Sequence, residues 1–387
     1  MSGYDVTASV RSEDKAQQLL KKHAAWEGKV HFSFVPDLSA SHAFDKLFDK
    51  PYDFIVHTAS PVTFKVNDIQ KDLIDPAVQG TIGLFQSAHK LGGSRIKRAV
   101  LLGSAVAVLD SFADEGVAGR DYTEEDWNPV TAKDAIERRD AVLGYNASKK
   151  LAEKAAWKFM DENKTAFDLT VINPDIVIGP MLHPMPGPHS INETNRFAIY
   201  SFMDGTHKAI EPVVFPFYHF VRSPSCEHLI FEGAQSDPDG DQVDVREVAK
   251  GLVLAMTAPG ASNKRILLVS GVITPQLVAN TIRRHFPKLK DKVAEGNPAQ
   301  IFPSGVHPTG WDVSRSHEVF GKDWTYRSLE ESVVDTVEDI LRHEDIWNAT
   351  GLGRAKKSWR FYLSEMEEKM MKLSMSFWNT VTFSKKL

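Results

Sequence analysis

The sequence predicts an α/β fold: a parallel sheet covered by helices on both faces. Three observations carry that prediction. Runs rich in Val, Ile and Leu alternate with runs whose apolar residues recur at helical spacing. Strands of that composition, separated by helices, are characteristic of parallel sheets buried on both sides. Over 387 residues, 42% apolar and 25% charged is a composition with enough apolar surface to offset chain entropy. At this length two lobes are expected.

The elements follow in order. "YDVTASVRS" reads as a strand, and "SEDKAQQLLKKHAAW" after it as a helix that Ser12 can cap. The order recurs as "VHFSFVPD" then "SASHAFDKLF", and as "DFIVHTAS" then a helix around "LIDPAVQGTIGLFQSAHKLG". "RAVLLGSAVAV", a polar loop, the helix "YNASKKLAEKAAWKFMDEN" and "LTVINPDIVIGP" complete this stretch. After Pro180 the texture changes to Pro, His and Gly in "MLHPMPGPHSINETN", where a second lobe begins. Residues 211–242 have neither helical nor strand period and read as an insertion. "VDVREVAKGLVLAM" then restores a strand end and an amphipathic helix, and "RILLVSG", "TPQLVANTIRRHFP" and "SLEESVVDTVEDILRHEDIW" complete an α/β cap. In the tail, Trp359, Leu363, Met366, Met370, Leu373 and Phe377 make a stripe suited to burial against the protein itself or a partner helix. No internal repeat is visible.

A formal charge of −5 with scattered Lys and Arg offers no field for a polyanion, which argues against nucleic-acid binding as the main task. Cys226 is the only cysteine, so an internal disulfide framework and a Cys-based metal cluster are excluded. The apolar runs are too short to span a bilayer, and the first residues lack the grammar of a signal peptide. A cytoplasmic protein is expected. Histidines 183, 189, 207, 219 and 228 crowd one region, but their spacing matches no helix-borne metal pair, so no metal is expected.

Tyr145 and Lys149 lie four apart at the start of a helix and share a face. An ammonium beside a phenol stabilises the phenolate, lowers the phenol's pKa and makes it a usable proton donor to a carbonyl oxygen. The spacing alone is equally that of an exposed helix pair. Ser104 ends the apolar strand "AVLLGS", where a parallel sheet presents its carboxyl edge to ligands. There its hydroxyl either holds a substrate oxygen beside the phenol or simply satisfies backbone.

"HTASP", "LLGSAVAV", "YNASKK", "INPDIVIGP" and "VDVREVA", in this order and at these separations, resemble the extended short-chain dehydrogenase/reductases of the NAD-dependent epimerase/dehydratase superfamily. The nearest branch holds dihydroflavonol reductases, cinnamoyl-CoA reductases and yeast-type methylglyoxal and ketone reductases. The resemblance covers residue 3 to about 345 apart from the insertion. It implies a Rossmann-like doubly wound sheet in residues 1–180, and a smaller α/β substrate lobe in 181–345, from which 243–256 return to the first lobe. A helical tail, 346–387, follows. It also implies an NADP-dependent oxidoreductase in which Ser104 positions a carbonyl, Tyr145 protonates it, and Lys149 tunes Tyr145 while binding the nicotinamide ribose. The substrate would be a small-molecule ketone or aldehyde, with Phe197, Tyr200 and Phe202 as candidate wall residues. A homodimer is among the assemblies such a protein forms.

Cofactor contacts carry over in the same way. Arg11 matches the basic residue that meets an adenosine 2′-phosphate, and Lys15 lies one turn on, so NADPH is favoured over NADH. Asp37 and Leu38 match an adenine-edge pair, Thr58 and Ala59 the turn beside pyrophosphate and ribose, and Pro174 and Val177 the nicotinamide wall. Each is also a plausible turn, surface or core residue.

The family pattern opens with a strand and a glycine-rich GxxGxxG turn into a helix, whose amides hold the pyrophosphate. The sequence lacks that first strand and turn. In a sheet of order 3-2-1-4-5-6 the first strand is central, so the sheet is expected to be cut in two with rows of unpaired backbone groups. An N-terminal coding segment before Met1 is the expected explanation. The other reading is an inert relative that keeps the catalytic residues but no longer binds nucleotide. Gly103 stands where a second serine is usual, and Gln79 where asparagine is frequent. Asp244 and Arg246 are expected to form a helix cap and a salt link.

Overall fold

The computed structural model describes residues 3–60, 66–110, 121–210, 220–222, 242–301, 306–308 and 310–350. Cys226, His219, His228, most of the 211–242 insertion and the apolar stripe of the tail lie outside the described residues.

The first elements are β1 (Val6–Val10), α1 (Glu13–Lys22), β2 (Val30–Phe34) and β3 (Phe54–His57). Ser12 caps α1, its hydroxyl accepting from the Lys15 amide at 3.3 Å. Then come α2 (Asp75–Leu91), β4 (Arg98–Leu102), α3 (Ala132–Arg138), α4 (Ala141–Glu162), β5 (Asp168–Pro174) and β6 (Ile176–Ile178). Past Pro180 there are two single-turn helices, α5 (Glu193–Asn195) and α6 (Ser201–Met203), and the strands β7 (Phe220–Arg222) and β8 (Gln242–Asp244). The rest is α7 (Val245–Thr257), β9 (Lys264–Leu268), α8 (Pro275–His285), β10 (Val306–Pro308), α9 (Ser314–Phe320) and α10 (Leu329–Ala349).

The main sheet has the order β3-β4-β5-β9, all parallel, while β1 and β2 form a separate parallel pair. This is the α/β Rossmann-like sheet the sequence predicted, in two pieces. Among the described strands β1 pairs with β2 alone and β3 with β4 alone. The smaller pairs are β6 with β8, parallel, and β7 with β10, antiparallel.

Alternate residues of β3 and β4 enter two cores, because successive strand side chains point to opposite faces. Ile55, Ala99 and Leu101 pack with Leu84 and Phe85 of α2 and with Ala156 of α4. Phe54 and Val100 pack instead with Val248, Leu252 and Met256 of α7 and with Trp324.

The helix expected over "SASHAFDKLF" is reduced to a single 3-10 stretch, Asp45–Asp49. Asp37 accepts from both the amide and the hydroxyl of Ser39, and His42 is left-handed at φ 60°, so the chain turns where a helix would need regular backbone. In the polar loop, α3 was not expected. Its capping box joins the Thr131 hydroxyl to the Asp134 amide and the Asp134 carboxylate to the Thr131 amide.

Two compact units divide the chain. The first contains residues 1–179, 212–274 and 302–332, and the second 180–211, 275–301 and 333–387. In the second unit Asp339 accepts the Met181 amide at 2.8 Å, and the Trp347 indole donates to the Met185 carbonyl at 2.8 Å.

Candidate active site

The site lies in the first unit, at the carboxyl ends of β3, β4 and β5 and along the opening turns of α4. Asp140 starts α4 by accepting the amides of Val142 and Leu143 at 2.8 and 3.1 Å. Gly144 allows close packing, since a Cβ there would lie 2.8 Å from Ile69 Cγ2. Tyr145 follows, with Lys149 one turn further on the same face.

Ser104 is held from behind. Its amide donates to Asn173 Oδ1 at 2.8 Å, and the Asn173 amide donates to Glu153 at 3.3 Å. Glu153 is buried and receives Arg265 Nε at 2.6 Å, and the Arg265 guanidinium lies 3.7 Å from the Trp127 ring centroid. Asn173 also explains Gly103, because a Cβ at that position would collide with Asn173 Oδ1. Sequence reasoning noted the glycine and missed its cause. Residues 103, 127, 153, 173 and 265 come from separate segments, and no local spacing joins them.

The three expected catalytic residues come together. The Ser104 side chain is hydrogen-bonded to the Tyr145 phenol, and its oxygen also accepts the Val106 amide at 3.4 Å. Lys149 Nζ lies 5.6 Å from the centroid of the Tyr145 ring.

The electrostatics differ from expectation. Burial pushes the Tyr145 phenol up to about 12, and Asp175 adds to this while the bond to Ser104 opposes it. The expected lowering by Lys149 does not appear: removal of the phenolate from water dominates, and only the bond to Ser104 opposes it. Burial also pulls Lys149 down to about 8. His57, at the end of β3, is pulled down to about 4 by burial and then by Lys149, so it is neutral. Its Nε2 is buried with no hydrogen-bond partner.

The expected cofactor residues occupy four places. Arg11 and Lys15 are exposed at the end of β1 and the start of α1, and neither side chain has an anionic partner among the described residues. Asp37 is exposed and caps the turn after β2 through Ser39, with its carboxyl held below the usual range by those two bonds. Leu38 is partly buried and packs against the core under α2. Thr58 and Ala59 are exposed just beyond β3, while Pro174 ends β5 and half-buried Val177 sits in β6. Phe197, Tyr200 and Phe202 are buried in the second unit.

Asp244 accepts the Arg246 amide at 2.8 Å and pairs with its guanidinium at 2.7 Å, forming the expected cap and salt link. His183 meets the Ser190 carbonyl at 2.7 Å, and His207 stacks on Phe202 and meets the Ser201 hydroxyl at 3.1 Å. Among the described residues no group of three His, Cys, Asp or Glu is placed to hold a metal ion.

A parallel α/β sheet presenting serine, tyrosine and lysine near its carboxyl edge has the arrangement of a Rossmann-like oxidoreductase. A family model described as male sterility protein matches residues 37–219. An oxidoreductase of Schizosaccharomyces pombe, C513.07, is 35% identical over 342 residues, 88% of this chain and 90% of that protein. The NADPH-dependent methylglyoxal reductase GRE2 of Saccharomyces cerevisiae is 31% identical over 346 residues, 88% of this chain and 92% of the relative. The crystal structure of yeast methylglyoxal/isovaleraldehyde reductase Gre2 with NADPH superposes with a TM-score of 0.73 at 29% identity, covering 89% and 93% of the two chains. The chain belongs to the extended short-chain dehydrogenase/reductases.

Proposed function

We propose that this protein is an NADPH-dependent reductase that transfers hydride to a ketone or aldehyde carbonyl, with Ser104, Tyr145 and Lys149 as catalytic residues. The observation that carries the reading is the Ser104–Tyr145 hydrogen bond beside a buried Lys149 that has no carboxylate partner among the described residues. The similarity to a reductase named as NADPH-dependent supports the choice of cofactor.

The residues present fit the two ends of NADPH. Arg11 and Lys15, which have no anionic partner among the described residues, would offer cations to the adenosine 2′-phosphate; Asp37 and Leu38 would flank the adenine, and Thr58 and Ala59 the turn toward the ribose. Tyr145 and Lys149 would hold the nicotinamide ribose, and Pro174 and Val177 would back the nicotinamide. The pyrophosphate between these ends has no glycine-rich turn of the family's kind in the sequence. When bound, NADPH supplies the hydride.

The chain's own residues manage the carbonyl oxygen. The Ser104 hydroxyl orients it beside the phenol. With its pKa near 12, Tyr145 is fully protonated at neutral pH, so its Oη–H is available as negative charge develops on that oxygen. Lys149 stabilises the phenolate left behind, an interaction strengthened by the same burial that weakens its own protonation.

The second unit is proposed as the substrate lobe, and the protein as a cytoplasmic enzyme that forms a homodimer. Among the described residues no helix is long and apolar enough to cross a membrane. Titrating the purified protein into NADPH tests the central reading, with methylglyoxal as first carbonyl probe. Enhanced cofactor fluorescence with a dissociation constant in the micromolar range, about −8 kcal/mol, is expected, followed by NADPH consumption. No fluorescence change up to millimolar NADPH supports the inert reading.

A further inference from the structure

The site contains a carboxylate that neither hydride nor proton transfer uses. Asp175 stands between β5 and β6, 8% exposed, and its amide donates to the Leu268 carbonyl at 3.2 Å, extending the pairing of β5 with β9. α4 and β5 run in opposite directions: Ala156 shares a core with Leu169 and Val171, whereas Glu153, nearer the start of α4, meets Asn173 at 3.3 Å. From Glu153 each turn back along α4 therefore rises toward the carboxyl edge, by about 6 Å to Lys149 and about 12 Å to Tyr145. Asp175 rises from Asn173 by about 7 Å in the same direction, two residues on and so on the same face. The backbone thus carries this carboxylate to the level of Lys149 and Tyr145. In keeping with that placement, its charge opposes ionisation of the Tyr145 phenol.

Reduction builds negative charge on the carbonyl oxygen, and a fixed carboxylate at that level repels it. A substrate with a hydrogen-bond donor beside its carbonyl turns this repulsion into a charge-assisted bond. A substrate with a carboxylate there brings a second like charge among buried groups, where repulsion is strong. We propose, building on the reductase reading, that Asp175 is a specificity-determining residue that selects carbonyl compounds bearing a hydroxyl on the neighbouring carbon and rejects 2-oxo acids. A merely structural Asp175 would, when replaced, change the rates of all carbonyl substrates alike.

Hydroxyacetone, butanone and pyruvate share a methyl ketone and differ in the neighbouring group, which is hydroxymethyl, ethyl or carboxylate. Their kcat/KM values with NADPH are compared in the full chain and in two variants, with methylglyoxal as the reference activity. In Asp175→Asn the pyruvate-to-butanone ratio should rise at least about tenfold, because the like charge is gone. In Asp175→Val the hydroxyacetone-to-butanone ratio should fall at least about tenfold, because no acceptor remains. Far-UV circular dichroism establishes that the variants are folded. On the unaltered protein without cofactor, calorimetry compares isobutyramide with isobutyrate, a pair of one shape that differs in charge; the amide should bind at least about tenfold more tightly. Ratios within about twofold of the parent values in both variants, isobutyrate binding as tightly as isobutyramide, or binding of neither overturns the selection by Asp175. NADPH left unconsumed with methylglyoxal overturns instead the reductase reading, and the amide and carboxylate pair then decides the role of Asp175 by itself.

Discussion

Replacing Lys149 by Met tests whether catalytic readiness is held at the expense of stability. Lys149 is 9% exposed, and burial lowers its pKa from an ordinary 10.5 to about 8. At about 1.4 kcal/mol per pH unit, this corresponds to about 3 kcal/mol of unfavourable burial at pH 7. Met fills a similar volume without charge. Its loss of the ammonium contact with the Tyr145 ring, 5.6 Å from Nζ to centroid, costs about 0.5–1 kcal/mol. The desolvation effect wins, and Lys149→Met should be more stable at pH 7 by about 2 kcal/mol. Between pH 8 and 10.5 the unfolded parent chain keeps a proton that the folded chain has released, so parent stability rises with pH there. The variant has no such group, so the gap between the two proteins should close across that window. Tyr145 works in the opposite sense above pH 10, but it is present in both proteins and cancels from the difference. Urea unfolding of both proteins at several pH values measures the gap. A variant less stable than the parent at pH 7, or a gap that does not change up to pH 10.5, refutes the reasoning.

Tyr145→Phe should lower carbonyl reduction by about 10²–10⁴-fold, the usual worth of a positioned general acid, while far-UV circular dichroism and NADPH fluorescence stay near parent values. Arg11→Ser should weaken NADPH binding by about tenfold or more and leave NADH little affected, as removal of a charged phosphate partner worth about 1.5–3 kcal/mol implies; equal losses for the two cofactors would count against the 2′-phosphate assignment. Gly103→Ala should destabilise the fold by about 2–4 kcal/mol in denaturant, combining overpacking against Val171 and Asn173 with disturbance of the buried Asn173 bonds. Glu153→Gln should cost about 3–5 kcal/mol by leaving the Arg265 guanidinium buried without its carboxylate, and turnover should fall alongside stability because the same network holds the Ser104 backbone.

What the sequence disclosed about this protein follows the range of the forces involved. Strands such as β4 and helices such as α4 are written in local periodicity, and both are found, although α4 begins at Ala141, one turn before the expected "YNASKK". The meeting of Ser104 with Tyr145 was also expected, through the resemblance to a family in which these two residues share a site. The support behind Ser104 was not. Asn173, Glu153, Arg265 and Trp127 become neighbours only once β5, α4, β9 and the loop before α3 are packed, and none of them lies within one helical turn of another in sequence. The Tyr145 phenol shows the same division more sharply. Its neighbours could be read from spacing, and Lys149 suggested a lowered pKa, yet the sign is set by how much water the packed chain removes. Once that is known, the roles invert. Burial keeps the phenol protonated even far above neutral pH, and the lysine is the group held close to its titration point. A reductase built this way is expected to lose rate as pH rises through about 8, where the Lys149 charge that stabilises the phenolate disappears, long before Tyr145 itself ionises. A pH–rate profile whose alkaline limb shifts in Lys149→Arg, which keeps the charge to higher pH, would locate that control in the ammonium; an unmoved limb would place it elsewhere.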